Sequence, residues 1–117
     1  MKILVADDSE LSRKLLNLSI SDNHEVVFAV DGSDALEKIK KETPDLVILD
    51  IMMPFITGLE LVAWIKDNYN DQIKIIILTS LGAEDVVLEA FSLGVDDFVT
   101  KPFDPKDLSL RIRRFEQ

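Results

Sequence analysis

The chain has 117 residues, of which 47% are apolar and 30% are charged. A chain of this size forms one domain that can bury a core without disulfides or a structural metal. Its formal net charge of −9 argues against binding of nucleic acid or an anionic membrane over the whole surface, because phosphate groups would be repelled. The sequence contains no cysteine, which excludes disulfides and thiolate metal sites.

No apolar run approaches the roughly 20 residues that span a bilayer. The chain starts with Met1, Lys2 and Ile3, so a strand pattern begins at once and leaves no room for the apolar region of a signal peptide. We therefore expect a cytoplasmic protein that does not contact a membrane.

The first unit of the chain is an apolar run at 3–6 followed by a longer segment with helical spacing. In that segment Leu11, Leu15 and Leu18 fall at i, i+4 and i+7. This spacing predicts a helix over 9–22 whose leucine stripe faces the core.

The rest of the chain repeats this alternation of strand and helix. Further strands are predicted at 26–30, 46–49, 73–78 and 98–100. The apolar positions of the second to fifth helices are, in order, Ala35, Leu36 and Ile39; Leu61, Val62, Ile65 and Tyr69; Val86, Val87, Ala90 and Phe91; and Leu108, Ile112 and Phe115. Pro44 and Gly94 mark helix ends, and Asp104 before Pro105 marks the start of the last helix.

The order of these elements predicts the fold class. The third and fourth strands are continuous apolar runs without alternation, which is typical of strands buried on both faces of a parallel sheet. Right-handed crossovers then place helices on both faces. The sequence thus predicts an α/β protein with a flavodoxin-like, doubly wound, five-stranded parallel sheet of order 2-1-3-4-5, whose switch point lies between strands one and three.

Four of the five predicted strands end in a polar group. Asp7 and Asp8 follow the first strand, Asp50 the third, Thr79 the fourth and Lys101 the fifth. Taken singly, each is most simply a turn residue, a helix cap or a surface charge. Because ligands bind at the carboxyl ends of strands in open α/β sheets, their joint occurrence predicts one site.

Three carboxylates at one sheet edge repel one another unless a cation is present. Their oxygen ligands, with no cysteine and no neighbouring histidine, favour Mg²⁺ or Mn²⁺ over zinc. Lys101 adds a positive charge and Thr79 a hydroxyl donor, which together suit the oxygens of a transferring phosphoryl group. Asp50 is the expected nucleophile because its strand is central and a carboxylate can form an acyl phosphate.

These residues lie in segments that resemble the receiver domain of two-component response regulators, and the resemblance covers the whole chain, 1–117. The segments are ILVADDS at 3–9, PDLVILDIMMPFITG at 44–58, IILTSLG at 76–82 and GVDDFVTKPF at 94–103. The resemblance implies that Asp50 is the phosphoacceptor. It also implies a Mg²⁺ site, for which Asp8, Asp50 and the Met52 backbone carbonyl are direct ligands and Asp7 acts through water.

The same resemblance implies a switching mechanism. A sensor histidine kinase or a histidine phosphotransfer protein would donate the phosphoryl group, Thr79 and Lys101 would follow it, and Phe98 would be the aromatic switch residue. The face made by the fourth helix, fifth strand and fifth helix would then change, with a phosphorylation-dependent dimer or a downstream protein or effector domain as its output. The domain would catalyse only its own phosphorylation and dephosphorylation. A cis peptide between Lys101 and Pro102 is also implied.

Some positions depart from the common pattern of the family. Thr57 stands where many members carry Asp, and Ser12 stands where many present an apolar residue to the kinase. Met52 and Leu81 occupy positions that tune phosphate lifetime, and because neither is polar enough to orient water we expect a long-lived aspartyl phosphate. His24, in the turn before the second strand, is interpreted as a surface residue.

Two other function classes stay open from the sequence. An aspartate-nucleophile phosphohydrolase uses similar groups, but it places its first pair as Asp-x-Asp, whereas Asp7 and Asp8 are adjacent. A phosphorylation-independent interaction domain on this fold would typically lose part of the acidic set or the lysine, and this chain keeps both.

Overall fold

A computed structural model describes residues 1–20, 23–80 and 84–116, in which five strands alternate with five helices. The strands are Lys2–Ala6 (β1), Glu25–Ala29 (β2), Leu46–Asp50 (β3), Lys74–Ser80 (β4) and Asp97–Lys101 (β5). The helices are Glu10–Ser19 (α1), Gly32–Glu42 (α2), Gly58–Tyr69 (α3), Glu84–Leu93 (α4) and Pro105–Arg113 (α5). Every predicted element is present, with boundaries that differ by a few residues. The last two residues predicted for the first helix, 21 and 22, lie outside the described part.

The strands form one parallel sheet in the order β2-β1-β3-β4-β5, which confirms the predicted topology. In the register of the central strands, Val5 pairs with Ile48 and Ile48 pairs with Ile76. At the carboxyl edge Ala6 pairs with Leu49, so the residues that follow β1 lie beside the end of β3. The switch point of the sheet is therefore where the acidic side chains emerge.

Two apolar layers cover the faces of the sheet. Side chains such as Leu4, Val47 and Ile75 pack under α2, α3 and α4. On the opposite face Ile48 and Ile76 pack under α1 and α5. Because β3 is buried along its whole length, both of its faces need apolar residues, which explains the absence of alternation in its sequence.

Short polar side chains start four of the five helices. Ser9, Asp31, Thr57 and Asp104 are the N-caps of α1, α2, α3 and α5, and each side chain accepts a hydrogen bond from a backbone N–H of the first turn. Thr57 also forms a capping box with Glu60. An N-cap of this kind stabilises a helix by about 1 kcal/mol. Thr57 therefore has a structural role as the N-cap of α3.

The predicted leucine stripe of the first helix is wrong in its orientation. Leu11, Leu15 and Leu18 are 67%, 41% and 79% exposed, whereas Leu16 and Ile20 are buried. The inner face of α1 also includes Ser12, one helical turn before Leu16. Its hydroxyl donates a hydrogen bond to the buried carboxylate of Asp7. Because a serine occupies this inner position, the apolar pattern selected the wrong face of the helix.

The interpretation of His24 as a surface residue is also wrong. Its side chain is 5% exposed, Nε2 lies 2.7 Å from Glu116 Oε1, and Nδ1 lies 3.0 Å from the Met1 amine. Both ring nitrogens have partners, which permits burial of the imidazole. Glu116 is 92 residues away along the chain, so local sequence gave no sign of this pair.

Within the described residues no helix is both long and apolar enough to cross a membrane.

Candidate functional site

The acidic residues predicted from the strand ends lie together. Asp50 is the last residue of β3, and Asp7 and Asp8 follow directly after β1. Carboxylate oxygens of the three side chains lie within 4.8 Å of one another. Asp7 and Asp50 are buried, whereas Asp8 is exposed at the rim. The site is therefore open to solvent on the Asp8 side and closed behind.

Lys101 neutralises part of this negative charge. Its Nζ donates hydrogen bonds to Asp7 Oδ2 at 2.8 Å and to Asp50 Oδ2 at 2.9 Å. Burial lowers the pKa of Lys101, but the hydrogen bonds and charges of Asp7 and Asp50 raise it by more, so that its pKa lies above the ordinary value. Lys101 is thus an ammonium at neutral pH. The peptide bond between Lys101 and Pro102 is cis, as the resemblance implied.

Asp7 is held by more donors than the sequence indicated. Its Oδ1 accepts from the Ser9 N–H at 3.0 Å, and its Oδ2 accepts from the Ser12 hydroxyl at 2.6 Å as well as from Lys101. The Arg13 guanidinium donates to the Asp7 carbonyl at 2.7 Å. The sequence did not identify Ser12 as a hydrogen-bond donor to the Asp7 carboxylate. The only signal for it was a hydroxyl at the third position of the helix that follows Asp7.

Asp50 and Asp8 differ in how well their oxygens are satisfied. Asp50 Oδ1 accepts from the Met52 N–H at 3.0 Å, and Oδ2 accepts from Lys101. In the part of the chain that the structure describes, the Asp8 carboxylate makes no hydrogen bond and no ion pair. Three carboxylates face one ammonium, so the site keeps an excess of negative charge. The atoms that could coordinate a metal are all oxygens, and the group therefore fits a hard divalent cation.

Thr79 and Phe98 lie on neighbouring strands close to this edge. Thr79 follows Leu78, the partner of Asp50 in the sheet, and its hydroxyl donates to the Ser80 carbonyl at 3.4 Å. No hydrogen bond joins Thr79 to the acidic residues within residues 1–20, 23–80 and 84–116. Phe98 is 36% exposed. The predicted coupling of these two residues stays a prediction, and Leu81 lies outside the described residues.

An apolar cleft of about 460 Å³ opens beside the acidic residues. Its walls come from the β3–α3 loop and from the first turns of α3 and α4, and they include Met52, Pro54, Leu59 and Val86, with Asp8 at the rim. Met52 is 74% exposed, and Met53 is buried. A partner that approaches Asp50 therefore meets apolar surface on this side.

Comparison with known proteins agrees with this geometry. The family model described as "Response regulator receiver domain" matches residues 3–113. A Galdieria sulphuraria protein named "Probable transcriptional regulator ycf27" is 44% identical over 113 residues, which are 96% of this chain and 44% of that protein. The Bacillus subtilis "Alkaline phosphatase synthesis transcriptional regulatory protein PhoP" is 35% identical over 113 residues, which are 96% of this chain and 47% of that protein.

A solved structure, "BeF3 Activated DrrB Receiver Domain", superimposes with a TM-score of 0.89 at 35% identity and covers 97% of this chain and 95% of its own. The chain spans about half the length of the curated relatives it matches. The family model and these relatives cover nearly all of the chain, and the solved structure shares its fold. The chain belongs to the response regulator receiver domain family.

Proposed function

We propose that this receiver is a phosphorylation switch in which Asp50 accepts a phosphoryl group from the phosphohistidine of a sensor histidine kinase or a histidine phosphotransfer protein. One observation carries the proposal: Asp50 ends the central strand beside two further carboxylates and is hydrogen-bonded to an ammonium, Lys101. A carboxylate oxygen of Asp50 attacks phosphorus as the bond from phosphorus to the imidazole nitrogen breaks.

Asp8, Asp50 and the Met52 carbonyl would hold Mg²⁺, or Mn²⁺ in its place, and Asp7 would act through a water ligand. When bound, the cation supplies positive charge to the phosphoryl oxygens. The exposed carboxylate of Asp8, which has no hydrogen bond or ion pair among the described residues, supports this assignment because its oxygens are available to coordinate a cation. Lys101 turns from the two aspartates towards the new phosphoryl group, since its ammonium carries three donors and already lies beside Asp50.

The signal passes to the face formed by α4, β5 and α5. Thr79 follows the phosphoryl group, and Phe98 turns inward from its half-exposed position. The Phe98 ring packs against Phe91 of α4, so its movement would alter this face directly. Phosphorylation would thus shift a population between two states of the face, which would pair with a second copy or a downstream protein.

The exposed leucines of α1 are the proposed docking site for the helices of the phosphoryl donor. Leu11, Leu15 and Leu18 form an apolar stripe on the helix that begins next to Asp8. A stripe of this kind on a solvent-facing helix is typical of a protein contact. Ser12, which faces Asp7, leaves this stripe intact.

As a receiver domain the chain has a regulatory role, and we propose that its output is control of transcription in the cytoplasm. The curated relatives are named as transcriptional regulators and are about twice as long as the chain. DNA contact would belong to an effector domain or a partner outside these 117 residues, because the net charge of −9 disfavours direct binding.

The test is intact mass after incubation with acetyl phosphate or phosphoramidate, with and without Mg²⁺. We expect a Mg²⁺-dependent gain of one phosphoryl group, about 80 Da, in the wild type and in Asp67→Asn, an exposed carboxylate of α3, but not in Asp50→Asn. No gain in the wild type would favour a phosphorylation-independent interaction domain. Loss of the phosphate within seconds after removal of the donor would contradict the expected long lifetime.

A further inference from the structure

The carboxylate of Asp7 is fully buried, and two donors share one of its oxygens. Asp7 Oδ2 accepts from Ser12 Oγ at 2.6 Å and from Lys101 Nζ at 2.8 Å, whereas Oδ1 has one donor among the described residues, the Ser9 N–H. A buried carboxylate without donors is strongly unfavourable. Any movement of Lys101 therefore changes the number of hydrogen bonds that the buried Asp7 carboxylate accepts.

The two donors of Oδ2 differ in mobility. Lys101 has a long flexible side chain with a second acceptor in Asp50. Ser12 has a short side chain fixed on the first turn of α1, where its N–H donates to the Ser9 side chain at 3.2 Å. Asp7, Ser9 and Ser12 thus form a closed hydrogen-bonded group within the turn from β1 to α1, and this group does not depend on Lys101.

We propose that Ser12 is a positioning residue that keeps the Asp7 carboxylate hydrogen-bonded and oriented when Lys101 moves to the phosphoryl group. This inference rests on the proposed function, in which Lys101 leaves Asp7. The Ser12 hydroxyl then becomes the only side-chain donor to Oδ2 among the described residues, and it lowers the cost of the phosphorylated state. Its contribution is larger in that state than in the unphosphorylated protein, where Lys101 still donates.

The test compares Ser12→Val with Ser12→Thr, because valine and threonine have the same shape and differ only in the hydroxyl group. The probe is beryllium fluoride with excess Mg²⁺, a phosphoryl analogue, and the readout is the rise in thermal unfolding midpoint with its concentration, which gives a dissociation constant. We expect Ser12→Thr to bind the analogue like the wild type. We expect Ser12→Val to bind it about tenfold more weakly, the factor for one hydrogen bond to a charged group.

Each outcome separates the inference from the proposed function. Equal dissociation constants for Ser12→Val and the wild type would overturn the role of Ser12 and leave the proposed function standing. Equally weak binding by Ser12→Val and Ser12→Thr would overturn it too, because packing and not the hydroxyl would then matter. A wild type that does not bind the analogue would overturn the proposed function and this inference with it.

A second readout needs no analogue. Because Ser12 and Lys101 share one oxygen of Asp7, removal of both donors should destabilise the protein by more than the sum of the single changes. Urea unfolding of Ser12→Val, Lys101→Met and the double variant in metal-free buffer measures this coupling. Strict additivity would overturn the inference.

Discussion

The ring of Phe98 on β5 packs edge to face against the ring of Phe91 on α4, with centroids 5.7 Å apart and an interplanar angle of 88°. Ala90 is the only fully buried residue in the described α4. The ring pair is a direct contact between α4 and β5 at the exposed face. A change in the Phe98 rotamer would loosen this contact and alter the exposed face.

A double-mutant cycle with Phe91→Leu and Phe98→Leu tests this coupling. In the unphosphorylated protein we expect the two residues to couple by about 0.5–1.5 kcal/mol in the free energy of unfolding, the usual strength of an aromatic pair. With beryllium fluoride and Mg²⁺ the coupling should fall towards zero, because Phe98 turns away. The measurement is urea unfolding of the four proteins under both conditions.

The control for this cycle is the pair Trp64 and Tyr69 on α3, whose rings also meet edge to face with centroids 5.7 Å apart. Its coupling should be the same with and without the analogue. A Phe91–Phe98 coupling that also stays constant would show that Phe98 does not move on activation.

Lys101→Met should strengthen Mg²⁺ binding, because the ammonium competes with the cation for Asp7 and Asp50. In metal-free buffer the same change leaves the buried carboxylates without their counter-charge and should lower the free energy of unfolding by about 2–3 kcal/mol. Mg²⁺ should restore most of this loss. Isothermal titration with Mg²⁺ and urea unfolding measure the two effects.

Lys106→Met is the matched control for Lys101→Met. Lys106 is exposed at the start of α5, and its ammonium forms no ion pair with the described residues. Neither Mg²⁺ affinity nor stability should change appreciably. Equal Mg²⁺ dissociation constants for Lys101→Met and the wild type would show that Lys101 does not compete with the metal.

Gly58→Ala should be among the most destabilising single changes in the chain. A Cβ at this position would lie 2.5 Å from the Ile51 Cα and 2.7 Å from the Asp50 carbonyl oxygen. Backbone atoms of a central strand cannot move aside cheaply, so we expect a loss of about 3 kcal/mol in the free energy of unfolding and a displaced Asp50. Urea unfolding and the rate of phosphorylation by acetyl phosphate measure the two consequences.

Gly94→Ala is the comparison for Gly58→Ala. Gly94 has φ +100°, and its nearest neighbour would be the flexible end of the Lys66 side chain at 3.1 Å. The cost should be about 1 kcal/mol from the strained backbone alone, with phosphorylation unaffected. A Gly94→Ala protein less stable than Gly58→Ala would contradict the ranking.

The strand order and the acidic site could be predicted from the sequence because both depend on local patterns. Unbroken apolar runs in β3 and β4 indicate a parallel sheet, and the sheet topology alone brings Asp7, Asp8 and Asp50 to one edge. The cis peptide at Pro102 and the aromatic position at Phe98 came from family resemblance and not from local physics.

What the sequence could not show depends on partners far away in the chain or on orientation. Helical spacing identifies an apolar stripe but not which stripe packs inward, and in α1 the inner face begins with Ser12. His24 was misjudged because its partner, Glu116, is 92 residues distant. The direction of the Thr79 hydroxyl depends on a rotamer, which sequence does not determine.

Asp34 provides a test of pH dependence away from the phosphorylation site. Its Oδ2 accepts from the Val30 N–H at 3.0 Å and from Lys38 Nζ at 3.1 Å, which links the end of β2 to α2. Partial burial raises the pKa of Asp34, but the bonds from Val30 and Lys38 lower it by more, so that its pKa lies below the ordinary value of 3.8.

A carboxyl group whose pKa is lower in the folded than in the unfolded state stabilises the protein above the unfolded pKa, and this contribution is lost as the pH falls through the folded pKa. The wild type should therefore be more stable than Asp34→Asn by a constant amount near neutral pH, and the difference should shrink below about pH 4. Urea unfolding between pH 3 and pH 7 measures it, with the exposed Asp67→Asn as control. A difference that does not change with acidification would mean that the bonds to Val30 and Lys38 do not depend on the charge of Asp34.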